Sequence, residues 1–367
     1  MIDYNRILKP TLLLDEAKCR RNIRAMAEKA RTSGVIFRPH FKTHQSVTIG
    51  EWFREEGVSS ITVSSVTMAK HFALHGWGDV TIAFPVNLRE VGEIHTLAEN
   101  IQLNILVSGY DQTEYLVKQT KFDSGCFIKI NTGLNRSGID WDDIDQLVRI
   151  VNMINKSPHL RFKGFITHSG HTYRASTVSE ITDIYRDTLY KFTSLRSLFS
   201  EYEILLSTGD TPSCSLVNDF RGFDEIRPGN FVFYDLTQVQ LGSCKSEHVA
   251  VAMACPVVEK NLKRNEIIVY GGGVHLSKES IRLADGRIAF CEVVLLDEKG
   301  WNFPSERCFV KSFSQEHGVI ASSHELLNCA KAGKLIGIIP VHSCMTADLI
   351  RKYYTFDNEE ITDFSPK

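Results

Sequence analysis

Between residues 35 and 230 eight short apolar runs recur, each separated from the next by an amphipathic stretch of about one helix. They read "VIFRPH", "SITVSS", "DVTIAFP", "LNILVS", "GCFIKIN", "RFKGFITHS", "EILLSTG" and "DEIRPGN". Strand-like runs alternating with helices predict a parallel sheet, because a parallel pair needs a crossover long enough to hold a helix. Eight such units, over a length close to the ~250 residues usual for a closed barrel, favour an α/β fold of the eight-stranded β/α (TIM) barrel type. The alternative is an open doubly wound sheet, but no G-x-G-x-x-G follows the first strand. Before the eight runs, "TLLLD" leads into a helix that Asp15 can cap. Ala17, Ile23, Met26, Ala27 and Ala30 share one side of that helix, and Gly34 follows its end.

After about residue 236 the texture changes. Runs such as "HVAVAMACPVV", "NEIIVYGGG", "RIAFCEVVLLD", "RCFVKSF", "GVIAS" and "KLIGIIPVHSC" are separated by polar turns. The expectation is a barrel domain over 10–235 and a mainly-β domain over 236–367 that also takes residues 1–9.

Composition limits the partners. The chain of 367 residues has a formal net charge of -2 and no long basic run, so it lacks the electrostatic footprint for nucleic acid or an anionic membrane. A small uncharged or zwitterionic ligand suits it better. The nine cysteines are scattered and form no C-x-x-C, which argues for a reducing compartment. The N-terminus shows no signal-peptide pattern and no stretch reaches eighteen apolar residues, so a cytoplasmic protein is expected.

A barrel enzyme places its chemistry at the C-terminal ends of its strands. Those ends carry Lys42, Ser64 and Ser65, Asn131 followed by Arg136, His168, Ser207-Thr208-Gly209, and Gly229-Asn230. In "RPHFKTHQS", Lys42 follows a strand and has Pro39 and Phe41 as neighbours. An apolar setting disfavours the charged ammonium and lets a lysine attack a carbonyl to form a Schiff base; a solvated surface lysine is the other reading. His40 and His44 would share a face only in a helix, which Pro39 opposes. Arg136 in "KINTGLNRSG" could face a ring nitrogen or an anion, or form a surface ion pair. "THSGHTY" gathers His168, His171 and Tyr173, and "LLSTGDTPS" with "IRPGNF" offers a phosphate cradle after the seventh and eighth strands. Near the C-terminus, "PVHSCMTADL" has His342 and Cys344 as H-x-C. In a strand these face the same side, and imidazole with thiolate suits zinc.

Taken in order, "PHFKTH", "HSGHTY", "STGDTPS", "RPGNF" and "PVHSC" resemble the D-serine dehydratase and D-threonine aldolase family of alanine-racemase-like (fold type III) pyridoxal phosphate enzymes, over nearly the whole chain. The resemblance implies that Lys42 holds the cofactor and serves as base at the substrate α-carbon, while Arg136 meets the pyridine nitrogen. It implies that His168, Ser169, Tyr173, Thr208, Gly209, Gly229 and Asn230 bind the cofactor, and that His342 and Cys344 bind Zn2+, with Mn2+ or another divalent ion as the alternative. A lyase acting on a D-3-hydroxy amino acid follows, as a homodimer without nucleic-acid or membrane partners. D-serine dehydratase chemistry is favoured because H-x-C, not the H-x-D common in D-threonine aldolases, stands here. The aldolase is the alternative, and an amino acid racemase or a non-catalytic cofactor carrier are weaker ones. Asp210 departs from the smaller neutral residue expected in the cradle.

Overall fold

The structure, a computed structural model, describes residues 2–362. These fall into two compact units. One comprises residues 24–42 and 49–229, the other residues 2–23, 43–48 and 230–362. Among the described residues no helix is long and apolar enough to cross a membrane.

The first unit is the expected barrel. Its strands are Ile36–Phe37, Ile61–Val63, Asp79–Pro85, Gln102–Val107, Ser124–Asn131, Leu160–Ile166, Leu205–Thr208 and Glu225–Ile226, and each pairs in parallel with its neighbours. Ile36–Phe37 pairs with the last strand, and the chain just beyond it bridges to the second strand at His40 and Thr62, so the ring closes. The Phe41 N–H donates to Thr62 O at 2.9 Å and the Thr62 N–H to Pro39 O at 2.9 Å. All eight apolar runs therefore supply barrel strands. They read as continuous hydrophobic segments because both faces of such a strand are covered.

A network of buried charges runs through this barrel. Arg38 is forked onto Asp79 at 2.6 and 3.1 Å and reaches Glu225 at 2.5 Å. Ser207 donates to Glu225 at 2.6 Å and accepts from Arg227 Nε at 2.6 Å; a second Arg227 nitrogen donates to the Thr167 carbonyl. The Glu225 side chain is 0% exposed, so the arginines are what make its burial tolerable.

The second unit is built on a closed antiparallel ring of Val251–Asn261, Glu266–Tyr270, His317–Ala321, Phe309–Phe313, Cys291–Leu296 and Leu335–Pro340. All six expected β runs are in it. Thr11–Leu14, expected inside 10–235, instead pairs antiparallel with Val251–Ala254 and parallel with Tyr353–Thr355 of this unit. A short run that is apolar at every position carries no information about its partner, and here Leu13 packs with Ile2 and Ala254. The helix that follows, Glu16–Ser33, starts as expected, with Asp15 accepting the Lys18 N–H at 3.0 Å. It ends at Gly34, whose φ of +69° is the left-handed cap conformation. Ile23, Met26, Ala27 and Ala30 are buried, but Ala17 is exposed; Cys19 takes the buried position instead, four residues before Ile23.

Candidate active site and metal pair

In the barrel unit the aromatic side chain beside Lys42 sets the lysine's position. Phe41 is fully buried, with ring centroids 5.1 Å from Phe53, 5.0 Å from Phe72 and 5.1 Å from Trp77. Lys42, one residue on, is exposed, and its N–H donates to His40 Nδ1 at 3.3 Å. His40 therefore serves the turn.

His168 lies two residues beyond the sixth strand and hydrogen-bonds Gly209 O through Nδ1 at 2.8 Å. A carbonyl only accepts, so Nδ1 carries the proton and Nε2 is the basic nitrogen. Burial, then the positive charges of Lys42, Arg136 and Arg227, push this imidazole down to about 3, against the Gly209 bond. His168 thus stays neutral in a cationic setting.

The ends of the seventh and eighth strands are pressed together. The Arg227 N–H donates to Thr208 O at 2.8 Å, and a Cβ on Gly209 would lie 2.6 Å from the Arg227 backbone. "STG" and "RPG" are thereby neighbours, and only glycine permits the approach. Ser169 is buried with its hydroxyl 3.1 Å from Thr188 Oγ1, while the Tyr173 ring lies 6.3 Å from that of His168. Arg136 is exposed, five residues past the fifth strand. Asp210, the departure noted in the sequence, is a brace. It caps the helix Thr211–Leu216 through the Ser213 N–H at 2.8 Å and accepts from Thr172 Oγ1 at 2.9 Å, fastening the cradle loop to "HSGHTY". Burial pushes its carboxyl up to about 6, although these bonds oppose the rise.

Lys129 went unnoticed in the sequence. It is buried on the fifth strand with its ammonium 2.6 Å from Ser137 Oγ, and burial, then Arg136 and Arg227, push it down to about 8. A lysine interrupting an otherwise apolar strand, "GCFIKIN", is the signal that could have found it. Arg227, immediately before the proline of "RPG", was also passed over.

In the other unit His342 and Cys344 do come together, but not on a strand. The strand ends at Pro340; His342 is the extended residue preceding the helix Ser343–Ile350, and Cys344 lies in that helix's first turn. Side chains at a helix cap and in its first turn can meet as those at i and i+2 of a strand do. Asp235 holds this helix start, accepting the Ser343 N–H at 3.0 Å and the Asn230 amide at 2.6 Å. The same Asn230 nitrogen lies 3.4 Å from Cys344 Sγ, so Asn230, expected at the cofactor, sits with the His–Cys pair. Thr43 Oγ1 is 3.2 Å from Cys344 Sγ, Gln45 donates to Asp348 at 2.9 Å, and Tyr353 donates to His44 O at 3.0 Å. His342 Nδ1 meets Glu279 Oε2 at 2.6 Å. Burial disfavours the charged imidazole, but hydrogen bonds to Cys344 and Glu279 outweigh it and raise His342 to about 11. The cluster thus draws positive charge to itself. Among the described residues no group of three or more His, Cys, Asp or Glu side chains forms a ready-made metal cage.

Residues 14–236 match the family model of the alanine racemase N-terminal domain, and residues 250–356 that of a putative serine dehydratase domain. The chain belongs to the alanine-racemase-like family. D-serine dehydratase of Dictyostelium discoideum is 29% identical across 99% of this chain and 98% of its own. D-threo-3-hydroxyaspartate dehydratase of Delftia sp. (strain HT23) is 25% identical across 92% of this chain and 91% of its own. Among solved structures, a cysteine-to-alanine mutant of D-threo-3-hydroxyaspartate dehydratase in the metal-free form superposes with a TM-score of 0.92, covering 100% of both chains at 22% identity, a likeness of fold.

The burial of His44 and His168 makes stability fall with acid. Each is pushed down to about 3, so below pH ~6.5 the unfolded chain takes up protons that the folded chain refuses, and stability declines by up to about 1.4 kcal/mol per pH unit for each. Asp210, raised to about 6, takes up a proton in the folded state and opposes the decline. The denaturant midpoint is expected to drop between pH 7.5 and 5, and Asp210→Asn is expected to steepen the drop. A midpoint flat across that range would contradict the burial of both imidazoles as neutral rings.

Proposed function

We propose that this protein is a lyase dependent on pyridoxal phosphate and zinc that acts on a D-3-hydroxy amino acid, foremost D-serine, to give pyruvate and ammonia. The observation that carries the reading is Thr43: it follows Lys42 directly in the chain, and its hydroxyl lies 3.2 Å from Cys344 Sγ. The candidate metal thiol thus touches the residue that follows the candidate cofactor lysine in the sequence.

The residues present fit both groups. For the cofactor, Lys42, Arg136 and Arg227 all act on the neutral His168, and this positive setting suits an anionic phosphate beside the "STG" and "RPG" backbones. For the metal, imidazole and thiol suit zinc, and the pull toward positive charge at His342 is what a cation would satisfy. When bound, pyridoxal phosphate supplies an electron sink for the substrate α-carbon, and zinc a Lewis acid for its β-oxygen.

The chain's own groups then have distinct tasks. The Lys42 amine anchors the cofactor and takes the α-proton. His168, neutral and held by Gly209, offers Nε2 as an acceptor, and Arg136 would be the residue to meet the pyridine nitrogen. His342 and Cys344 hold the metal. Loss of the α-proton and the β-hydroxyl releases water and an enamine, which hydrolyses to the keto acid and ammonia. Loss of the β-hydroxyl proton instead would break the Cα–Cβ bond and, with a proton returned to Cα, release an aldehyde and glycine, the aldolase outcome. Cys344 in place of a carboxylate favours the softer ion and the dehydratase. The family resemblance extends the reading to a cytoplasmic homodimer.

Purified protein supplied with the cofactor is expected to release pyruvate from D-serine. A chelator should suppress the release at least about tenfold and zinc should restore it, as expected for a Lewis-acid role. Glycine and acetaldehyde from D-threonine, with no pyruvate from D-serine, would make the protein an aldolase.

A further inference from the structure

Glu279 lies 63 residues before His342 and in none of the motifs picked out from the sequence, yet its Oε2 is 2.6 Å from His342 Nδ1. We propose that Glu279 is a positioning residue for the metal pair: by accepting the Nδ1–H of His342 it holds the imidazole with Nε2 directed to a divalent cation. The inference rests on the reading of His342 and Cys344 as metal ligands.

The chemistry of the contact assigns the roles. An ionised carboxylate only accepts, so Nδ1 keeps its proton, and it is Nε2 that would give up a proton to a divalent cation. A carboxylate on the far nitrogen of a metal-binding histidine fixes the ring's tautomer and orientation and makes it a better donor. Glu279 meets the ring at Nδ1 and so acts through the histidine, as a partner and not as a third ligand.

The backbone leading to Glu279 is strained and tied to the helix that carries Cys344. Two residues before it, Ser277 has φ 66° and ψ 178°, a region almost confined to glycine. Such a conformation is strained and persists where the surroundings impose it. Here the preceding residue is held: Leu276 is buried, and its carbonyl accepts from Thr346 Oγ1, on the helix that carries Cys344, at 3.4 Å. Beyond the turn, the Glu279 N–H is 3.4 Å from Ser277 Oγ. The strained turn therefore starts from a point tied to the metal helix and ends on the metal histidine.

The test is zinc affinity, measured by competition with a chromophoric chelator on the full-length, cofactor-loaded protein. Glu279→Ala is expected to weaken zinc binding by about 10–100-fold, with Glu279→Gln, which keeps an acceptor oxygen but no charge, in between. The thermal midpoint of the zinc-free protein and the visible cofactor absorbance should stay as in the wild type, because the carboxylate is partly exposed and off the barrel unit. Affinities within twofold of the wild type in both variants would reduce Glu279 to a surface ion pair and overturn the inference, leaving the metal reading intact. A wild type that takes up no zinc, or as much as His342→Ala and Cys344→Ala variants, would overturn both.

Discussion

Lys42→Ala is expected to abolish the visible absorbance of protein prepared with pyridoxal phosphate. Turnover of D-serine should fall by at least the roughly 10²–10⁴-fold that a positioned base contributes. The substitution removes chemistry without removing structure. Lys42 is exposed, whereas the fold at this point depends on Phe41, packed among Phe53, Phe72 and Trp77, and on the bridge between His40 and Thr62. Barrel closure and the unfolding midpoint should therefore survive in the variant. Lys42→Arg should fail as completely, since a guanidinium remains protonated and cannot serve as nucleophile or base. Retention of the absorbance band and of pyruvate release in Lys42→Ala would move the cofactor anchor elsewhere, and the buried Lys129 would be the next lysine to test.

The second large effect is on stability. Arg38→Leu is expected to destabilise the barrel by about 3–5 kcal/mol, the usual result of removing one partner from a buried ion pair. Burial works against the Arg38 charge, but Glu225 and Asp79 more than offset this and raise its pKa. Without the guanidinium, Glu225 would be buried with only Ser207 at 2.6 Å and the more distant Arg227 at 3.8 Å. Arg38→Lys should recover little, because a lysine cannot reproduce the fork onto both Asp79 oxygens. Adding Glu225→Gln to Arg38→Leu should recover part of the loss by removing the stranded charge. Urea unfolding followed by tryptophan fluorescence reads these differences directly. A midpoint unchanged in Arg38→Leu would mean that the network contributes nothing measurable.

The barrel was legible because its signal is local. Each run of four to eight apolar residues and each amphipathic stretch is a statement about neighbouring residues, and their repetition counts the strands. The helix after Asp15 was legible for the same reason, down to its glycine stop. Thr11–Leu14 was less so, since an all-apolar tetrapeptide fits either kind of sheet and only its contacts with Ile2 and Ala254 decide. The H-x-C pair was found by donor type, whereas the strand geometry invoked for it was replaced by a helix cap. Asp210 looked out of place beside small neutral residues until its bond to Thr172, 38 positions away, showed it to be a brace.

By itself the sequence determined the number of barrel units and offered the candidate residues at their ends and the donor types of the candidate metal pair, because these follow from periodicity and side-chain chemistry within short windows. Only the tertiary structure decided which groups meet. The Thr43 contact with Cys344, the cations acting on His168, the Arg38 network and the Glu279 bond to His342 each join residues that no local window contains. Such contacts are set by how buried charges and hydrogen-bonding groups must pair once the apolar runs have packed, and that pairing is a property of the closed fold.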